Sequence, residues 1–235
     1  MGRAFEYRKA RKFARWDKMS KIFTRIGKEI AMAVKAGGPE PASNPRLRVA
    51  IQNAKGASMP KDRVESAIKK ASSKDEKDYE EVVYEGYGPH GIAVVVETAT
   101  DNPTRTVANV RHLFSKYGGS LGTSGSLNFL FDRKGIFRIH AEGIDIEALE
   151  LEIIDHGADD IQLEEGEIVV TTAFTDFGAM QKALEQMGLN VISSELVRIP
   201  LNTNALTEAQ EEEVMKLIDA LEEDDDVQNV FDNIG

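Results

Sequence analysis

The chain contains no cysteine. Disulfide staples, thiolate zinc sites and cysteine nucleophiles are thereby excluded, and a reducing cytoplasm is the expected location. No apolar run approaches the roughly 18 residues a transmembrane helix needs, so no membrane partner is expected. The basic start is not followed by an apolar segment of signal-peptide type. Gly2 follows Met1, but Glu6 stands where myristoylation requires Ser or Thr. The histidines, His90, His112, His140 and His156, are scattered singly with no H-x-x-x-H pair, which predicts no metal site. No nucleophile, base and orienting group stand out as a set. The residues alone give no catalytic residues, no cofactor and no small-molecule substrate to expect.

What the chain does have is charge, unevenly placed. Residues 1–78 hold 20 Lys and Arg against 9 Asp and Glu, a balance of +11. The remainder holds 29 − 20 = 9 basic against 40 − 9 = 31 acidic residues, a balance of −22, and the two sum to the net −11. The positive pole is densest at its start, with Arg3, Arg8, Lys9, Arg11, Lys12, Arg15, Lys18, Lys21, Arg25 and Lys28 opposed only by Glu6 and Asp17. Phe5, Tyr7, Phe13 and Trp16 are interleaved with them. Cations neutralise phosphates and release counterions, and aromatic rings stack on bases, so this composition fits a polyanion. The competing reading is a helical domain with solvated basic faces, and Trp16 fits core packing as well as stacking.

Periodicity divides the chain. Ile22, Ile26, Ile30 and Val34 step by four along one helix face, and Gly37-Gly38-Pro39 stops it. Lys21, Arg25 and Lys28 then fall on its solvent face, while Arg3 to Lys18 reads as an arm or as a helix extension that a ligand orders. Asn44-Pro45 starts a second helix and Pro60 a third. Residues 72–78 read as a polar linker. Beyond it the period becomes two: strands over 82–86 and 92–98, a helix begun by Asp101-Asn102-Pro103, and a strand over 127–131. From Gly135 the order is strand 136–140, helix 144–156, strands 161–163 and 168–172, helix 176–187 and strand 191–197. This β-α-β-β-α-β order is ferredoxin-like. A helix over 208–221 and a strand over 227–231 follow. The expected fold class is α+β: an N-terminal three-helix domain (1–78), a discontinuous α+β sandwich (79–133 plus 201–235), and a ferredoxin-like α+β domain (134–200) inserted into it.

Gly86, Gly88 and Gly91 spell G-x-G-x-x-G, but a strand follows where a dinucleotide loop needs a helix, so this is a turn. The glycine-rich loop 118–126 lacks the Gly-Lys-Ser/Thr ending of a P-loop. Its amides and hydroxyls suit a phosphate, or it is a plain connection. Arg105, one turn into its helix, and Arg111 add phosphate contacts or pair with local carboxylates. The run Glu222-Glu223-Asp224-Asp225-Asp226 lacks calcium-loop spacing and reads as a solvated helix end.

Several stretches together resemble the YebC/PmpR family. They are Lys21-Ile22-Phe23-Thr24-Arg25-Ile26, Gly37-Gly38, Asn44-Pro45-Arg46-Leu47-Arg48, Tyr84-Glu85-Gly86-Tyr87-Gly88-Pro89, and Asp101-Asn102 with Arg105-Thr106. Val110-Arg111-His112, Phe114-Ser115-Lys116, Gly118-Gly119, Leu121-Gly122 and Gly125-Ser126 continue the match, and Leu217 to Glu222 closes it. Many members begin Gly-His-Ser-Lys-Trp where this chain has Gly2-Arg3-Ala4-Phe5-Glu6-Tyr7, so contacts of that histidine and serine do not carry over. The resemblance implies a three-domain, non-enzymatic, cytoplasmic DNA-binding transcriptional regulator. A mitochondrial relative is described as a translational activator, and bacterial members are linked to the ribosome. The expected partner is therefore a nucleic acid, DNA or ribosomal RNA, with a protein–protein adaptor as a further alternative. The expected contact residues are Arg3, Arg8, Lys9, Arg11, Lys12, Arg15, Trp16, Lys18, Lys21, Arg25, Arg105 and Arg111. No helix-turn-helix with an evident recognition helix and no RNP-type strand pair is legible, which favours backbone or shape reading.

Overall fold

The computed structural model describes residues 19–73 and 78–235. Three helices come first: α1 (Met19–Gly37), α2 (Pro45–Gly56) and α3 (Lys61–Ala71). The order then runs β1 (Glu80–Tyr87), β2 (Ala93–Thr100), α4 (Pro103–Lys116), β3 (Ser120–Leu121), β4 (Phe131–His140), α5 (Ile146–Ile153), β5 (Ala158–Glu164) and β6 (Glu167–Ala173). It ends with α6 (Phe177–Gln186), β7 (Val191–Pro200), α7 (Glu208–Glu223) and β8 (Val227–Asp232). The fold is α+β, with three N-terminal helices and two four-stranded antiparallel sheets carrying helices. By contacts the chain forms two compact units. One gathers 19–32, 73, 78–132 and 200–235 among its described residues; the other gathers 33–72 and 133–199.

The first unit is built on the sheet β3-β1-β2-β8. β1 and β2 form a hairpin in register from Glu80↔Thr100 to Tyr87↔Ala93. β8, from the far end of the chain, pairs with β2. One sheet face buries Val94, Val96 and Tyr84 against Val110 and Phe114 of α4 and Val214, Leu217, Ile218 and Leu221 of α7. Ala93 and Val95 point the other way and pack with Leu127 and Phe131. This alternation along β2 is what a strand covered on both faces requires. Asn102 caps α4 by accepting from the Arg105 amide at 3.1 Å, with Pro103 at its first position. Thr207 and Gln210 close a capping box on α7.

The sequence places a strand over 127–131, and the structure differs. Asn128–Leu130 is a single 3-10 turn, and Phe131 begins β4. The third strand of the first sheet is instead Ser120–Leu121, inside the glycine-rich loop, paired to Tyr87 and Gly86. Leu127 is apolar because it fills the core under the sheet. The G-x-G-x-x-G string is a turn: Pro89–Gly91 links β1 to β2, with His90 at φ 59° and Gly91 at φ 74°.

In the second unit the sheet order is β5-β6-β4-β7. Counted from β4 this is 2-3-1-4, the ferredoxin-like arrangement. Phe137 and Ile139 of β4 and Ile168 and Val170 of β6 pack against Leu149 and Ile153 of α5 and Met180 and Leu184 of α6. α2 belongs to this unit. Asn53 Nδ2 donates to the Ser194 carbonyl at 2.9 Å, and the Ser194 amide donates to Asn53 Oδ1 at 2.8 Å. A Cβ on Gly56 would collide with the Ile192 carbonyl oxygen, so a glycine permits the close approach of α2 to β7. Asn44 joins two helices. Its Oδ1 accepts from the Leu47 amide, capping α2, while Nδ2 donates to the Ala33 and Gly38 carbonyls at the end of α1.

Candidate nucleic-acid interface

Each of the three cations expected on the solvent face of α1 meets the acidic turn between α7 and β8. Lys21 Nζ lies 2.6 Å from Glu223 Oε2 and donates to the Glu223 carbonyl at 2.8 Å. Arg25 donates to the Glu222 carbonyl at 3.0 Å. Burial pulls the Arg25 pKa below the usual guanidinium value, against the raising effect of Glu222, Glu29 and Glu223. Lys28 is buried, and its ammonium donates to Asp226 Oδ1 at 2.9 Å, the Ala99 carbonyl at 2.9 Å and the Asp225 carbonyl at 2.7 Å. Three donors and three acceptors leave this group fully satisfied. Lys28 is therefore an internal tether, not the solvent-facing lysine its spacing suggests.

Asp226 is the hub. Its side chain is 8% exposed. While Oδ1 holds Lys28, Oδ2 accepts from Arg105 at 2.7 Å and lies 2.8 and 3.2 Å from the Thr106 and Thr100 hydroxyls. Burial raises the Asp226 pKa, but hydrogen bonds from Arg105, Lys28 and Thr106 and the charge of Lys28 outweigh it and bring the value down to about 2. Arg105 also reaches Asp101 at 2.9 Å, and hydrogen bonds to Asp226 and Asp101 raise its pKa. Asp224 accepts from Asn109 at 3.2 Å and from the Asp226 amide at 2.9 Å. The run 222–226 is thus a receptor for cations and amides of its own chain, not a solvated helix end.

The glycine-rich loop is likewise occupied from inside. Glu85, buried on β1, accepts from the Gly125 amide at 3.0 Å and the Leu127 amide at 2.6 Å. Its carbonyl takes the Gly122 amide at 2.7 Å, while the Gly118, Gly119 and Ser126 amides bond to Ser115, Phe114 and Thr123. The Glu85 carboxylate thus holds two of the amides that a phosphate cradle could use, and Ser120, Thr123 and Ser124 are exposed.

Of the expected contact residues, the structure brings Lys21, Arg25 and Arg105 around one acidic turn. Arg111 lies exposed on α4 with no carboxylate partner among the described residues. Arg3, Arg8, Lys9, Arg11, Lys12, Arg15, Trp16 and Lys18 lie outside the described residues. Sequence reasoning names Lys28 and Asp226 without their pairing and gives Glu85 no role. The available signals were a carboxylate alternating inward on a buried strand and an acidic run directly before a strand. No cluster of His, Asp and Glu suited to a metal occurs among the described residues, and none of their helices is long and apolar enough to cross a membrane.

Residues 3–74 match the family description "TACO1/YebC protein N-terminal domain", and residues 79–234 match "TACO1/YebC second and third domain". The chain belongs to the TACO1/YebC family. A TACO1/YebC relative from Parabacteroides distasonis, named a probable transcriptional regulatory protein, is 59% identical over 235 residues, covering 100% of this chain and 97% of its own. A relative of the same name from Myxococcus xanthus is 55% identical over 240 residues and 100% of both chains. The crystal structure of a conserved hypothetical protein, Aq1575 from Aquifex aeolicus, superposes with a TM-score of 0.80 at 40% identity, covering 94% of this chain and 93% of that one. TACO1/YebC relatives thus span the whole chain, and their names are those of probable transcriptional regulators, not enzymes.

Proposed function

We propose that this chain is a non-enzymatic, DNA-binding transcriptional regulator of the cytoplasm that grips the phosphodiester backbone through the segment Arg3–Lys18. The observation that carries this reading is how the basic charge is committed. Lys21, Arg25, Lys28 and Arg105 are held by the chain's own acidic turn. Arg3, Arg8, Lys9, Arg11, Lys12, Arg15 and Lys18, opposed by Glu6 and Asp17, are the densest remaining cations in a chain of net charge −11. The acidic remainder repels nucleic acid and confines contact to that pole. The full-length relatives named probable transcriptional regulatory proteins support DNA as the partner.

The test is crosslinking in cells followed by sequencing of bound DNA and RNA. Peaks at promoters are expected. Enrichment on ribosomal RNA without promoter peaks would replace this reading with an RNA-binding translation factor, which the same phosphate grip serves equally well.

A further inference from the structure

We propose that the outward face of α5 is a docking site for the cationic segment Arg3–Lys18 of a second copy of this chain. The proposal draws on the segment assigned above to nucleic acid but does not depend on that assignment. Among the described residues eight large apolar side chains are exposed, and the pair carried by a helix and its end, Leu151 at 77% and Ile154 at 60%, belongs to α5. Buried Leu149 and Ile153 hold α5 on its sheet. At about 100° per residue, Leu151 and Ile154 point about 120–180° away from them. Ile154 keeps helical angles, φ −59° and ψ −37°, so the face continues through it. Glu150, Ile154, Glu147 and Leu151 then follow one another across an arc of about 100°. Carboxylates and aliphatic groups alternate on this exposed stripe.

The charge around this stripe selects the occupant. Residues 139–181 contain twelve Asp and Glu and no Lys or Arg. Glu147, Glu150, Glu152 and Asp155 have no ion-pair partner among the described residues. Carboxylates interleaved with exposed aliphatic carbons match a partner that is cationic and apolar at once. Segment Arg3–Lys18 is both: seven Lys and Arg outnumber its two acids, and Phe5, Tyr7, Phe13 and Trp16 lie among them. Its cations pair with Glu147 and Glu150 while its aromatic rings cover Leu151 and Ile154. The two surfaces in contact differ, so the association is head-to-tail. One short helix gives it a small area, which makes it weak and concentration-dependent.

Sedimentation velocity of the full chain over a range of concentrations, at low and at physiological salt, tests this. Wild type is expected to self-associate as concentration rises, and less so at the higher salt. Leu151→Gln/Ile154→Gln is expected to weaken association at least about 10-fold at both salts. Glu147→Gln/Glu150→Gln is expected to weaken it roughly 2- to 20-fold and to reduce its salt dependence. Glu208→Gln/Glu212→Gln removes the same charge from exposed positions of α7 and is expected to behave as wild type. A labelled peptide of residues 3–18 should bind the full chain, read by fluorescence anisotropy, with the same ranking of variants. Unaltered melting of the three doubles checks that these exposed substitutions leave the fold intact. A chain that stays monomeric at every concentration, equal effects of the two glutamate doubles, or undiminished association of Leu151→Gln/Ile154→Gln overturns the proposal.

Discussion

At the scale of single residues, two ion pairs on the same helix face have very different weight. Lys21–Glu223 keeps 27% and 53% of its side chains exposed, where such pairs contribute about 0–1 kcal/mol. Lys28–Asp226 is exposed by only 10% and 8%, and removing one partner strands a desolvated charge. Asp226→Asn is therefore expected to lower stability in urea unfolding by about 2–4 kcal/mol, and Glu223→Gln by less than about 1 kcal/mol. Equal effects would contradict the assignment of Asp226 as hub. The pH dependence follows from the sign of the Asp226 shift. Its folded pKa of about 2 lies below the ordinary aspartate value of 3.8, so its contribution is full above pH ~4 and is lost as pH falls towards 2. Wild type is expected to lose roughly 1–2 kcal/mol through this window that Asp226→Asn does not lose. Glu85→Gln removes the charge accepting the Gly125 and Leu127 amides. It should cost about 1–3 kcal/mol and speed hydrogen exchange at those two amides.

At the scale of elements, regular segments were legible and the joints were not. The four-residue steps of Ile22, Ile26, Ile30 and Val34 mark α1, and the Asn-Pro pairs mark the starts of α2 and α4, because caps and periodicity are local. The two-residue β3 has no period to read, and it pairs with β1 beside a loop whose Leu127 amide Glu85 holds. Leu127 gave a false strand signal, since an apolar run records burial and not backbone conformation. The docking of α2 within the second unit depends on Asn53 and Gly56 meeting Ser194 and Ile192, residues far away in sequence. Gly56→Ala is expected to destabilise this unit by at least about 2 kcal/mol, because the colliding atom is backbone and cannot swing aside. A melting temperature unchanged by Gly56→Ala would contradict that close approach.

At the scale of the whole molecule, the charge split read from composition survives with a different meaning. Part of the positive pole serves the fold: Lys21, Arg25 and Lys28 bind the acidic turn and are not spare charge for a ligand. No single-sequence pattern reveals this, because positions 21–28 and 222–226 lie about 200 residues apart. The proposed polyanion contact is the segment Arg3–Lys18. The most direct measurement is the salt dependence of duplex binding by wild type and by the Arg8, Lys9, Arg11 and Lys12 to Ala quadruple variant. With about six phosphate contacts, wild-type affinity should fall roughly a thousandfold between 50 and 200 mM salt, and the quadruple variant should show a slope smaller by about 3–4 with its melting unchanged. A quadruple variant that binds with the wild-type slope would contradict the account.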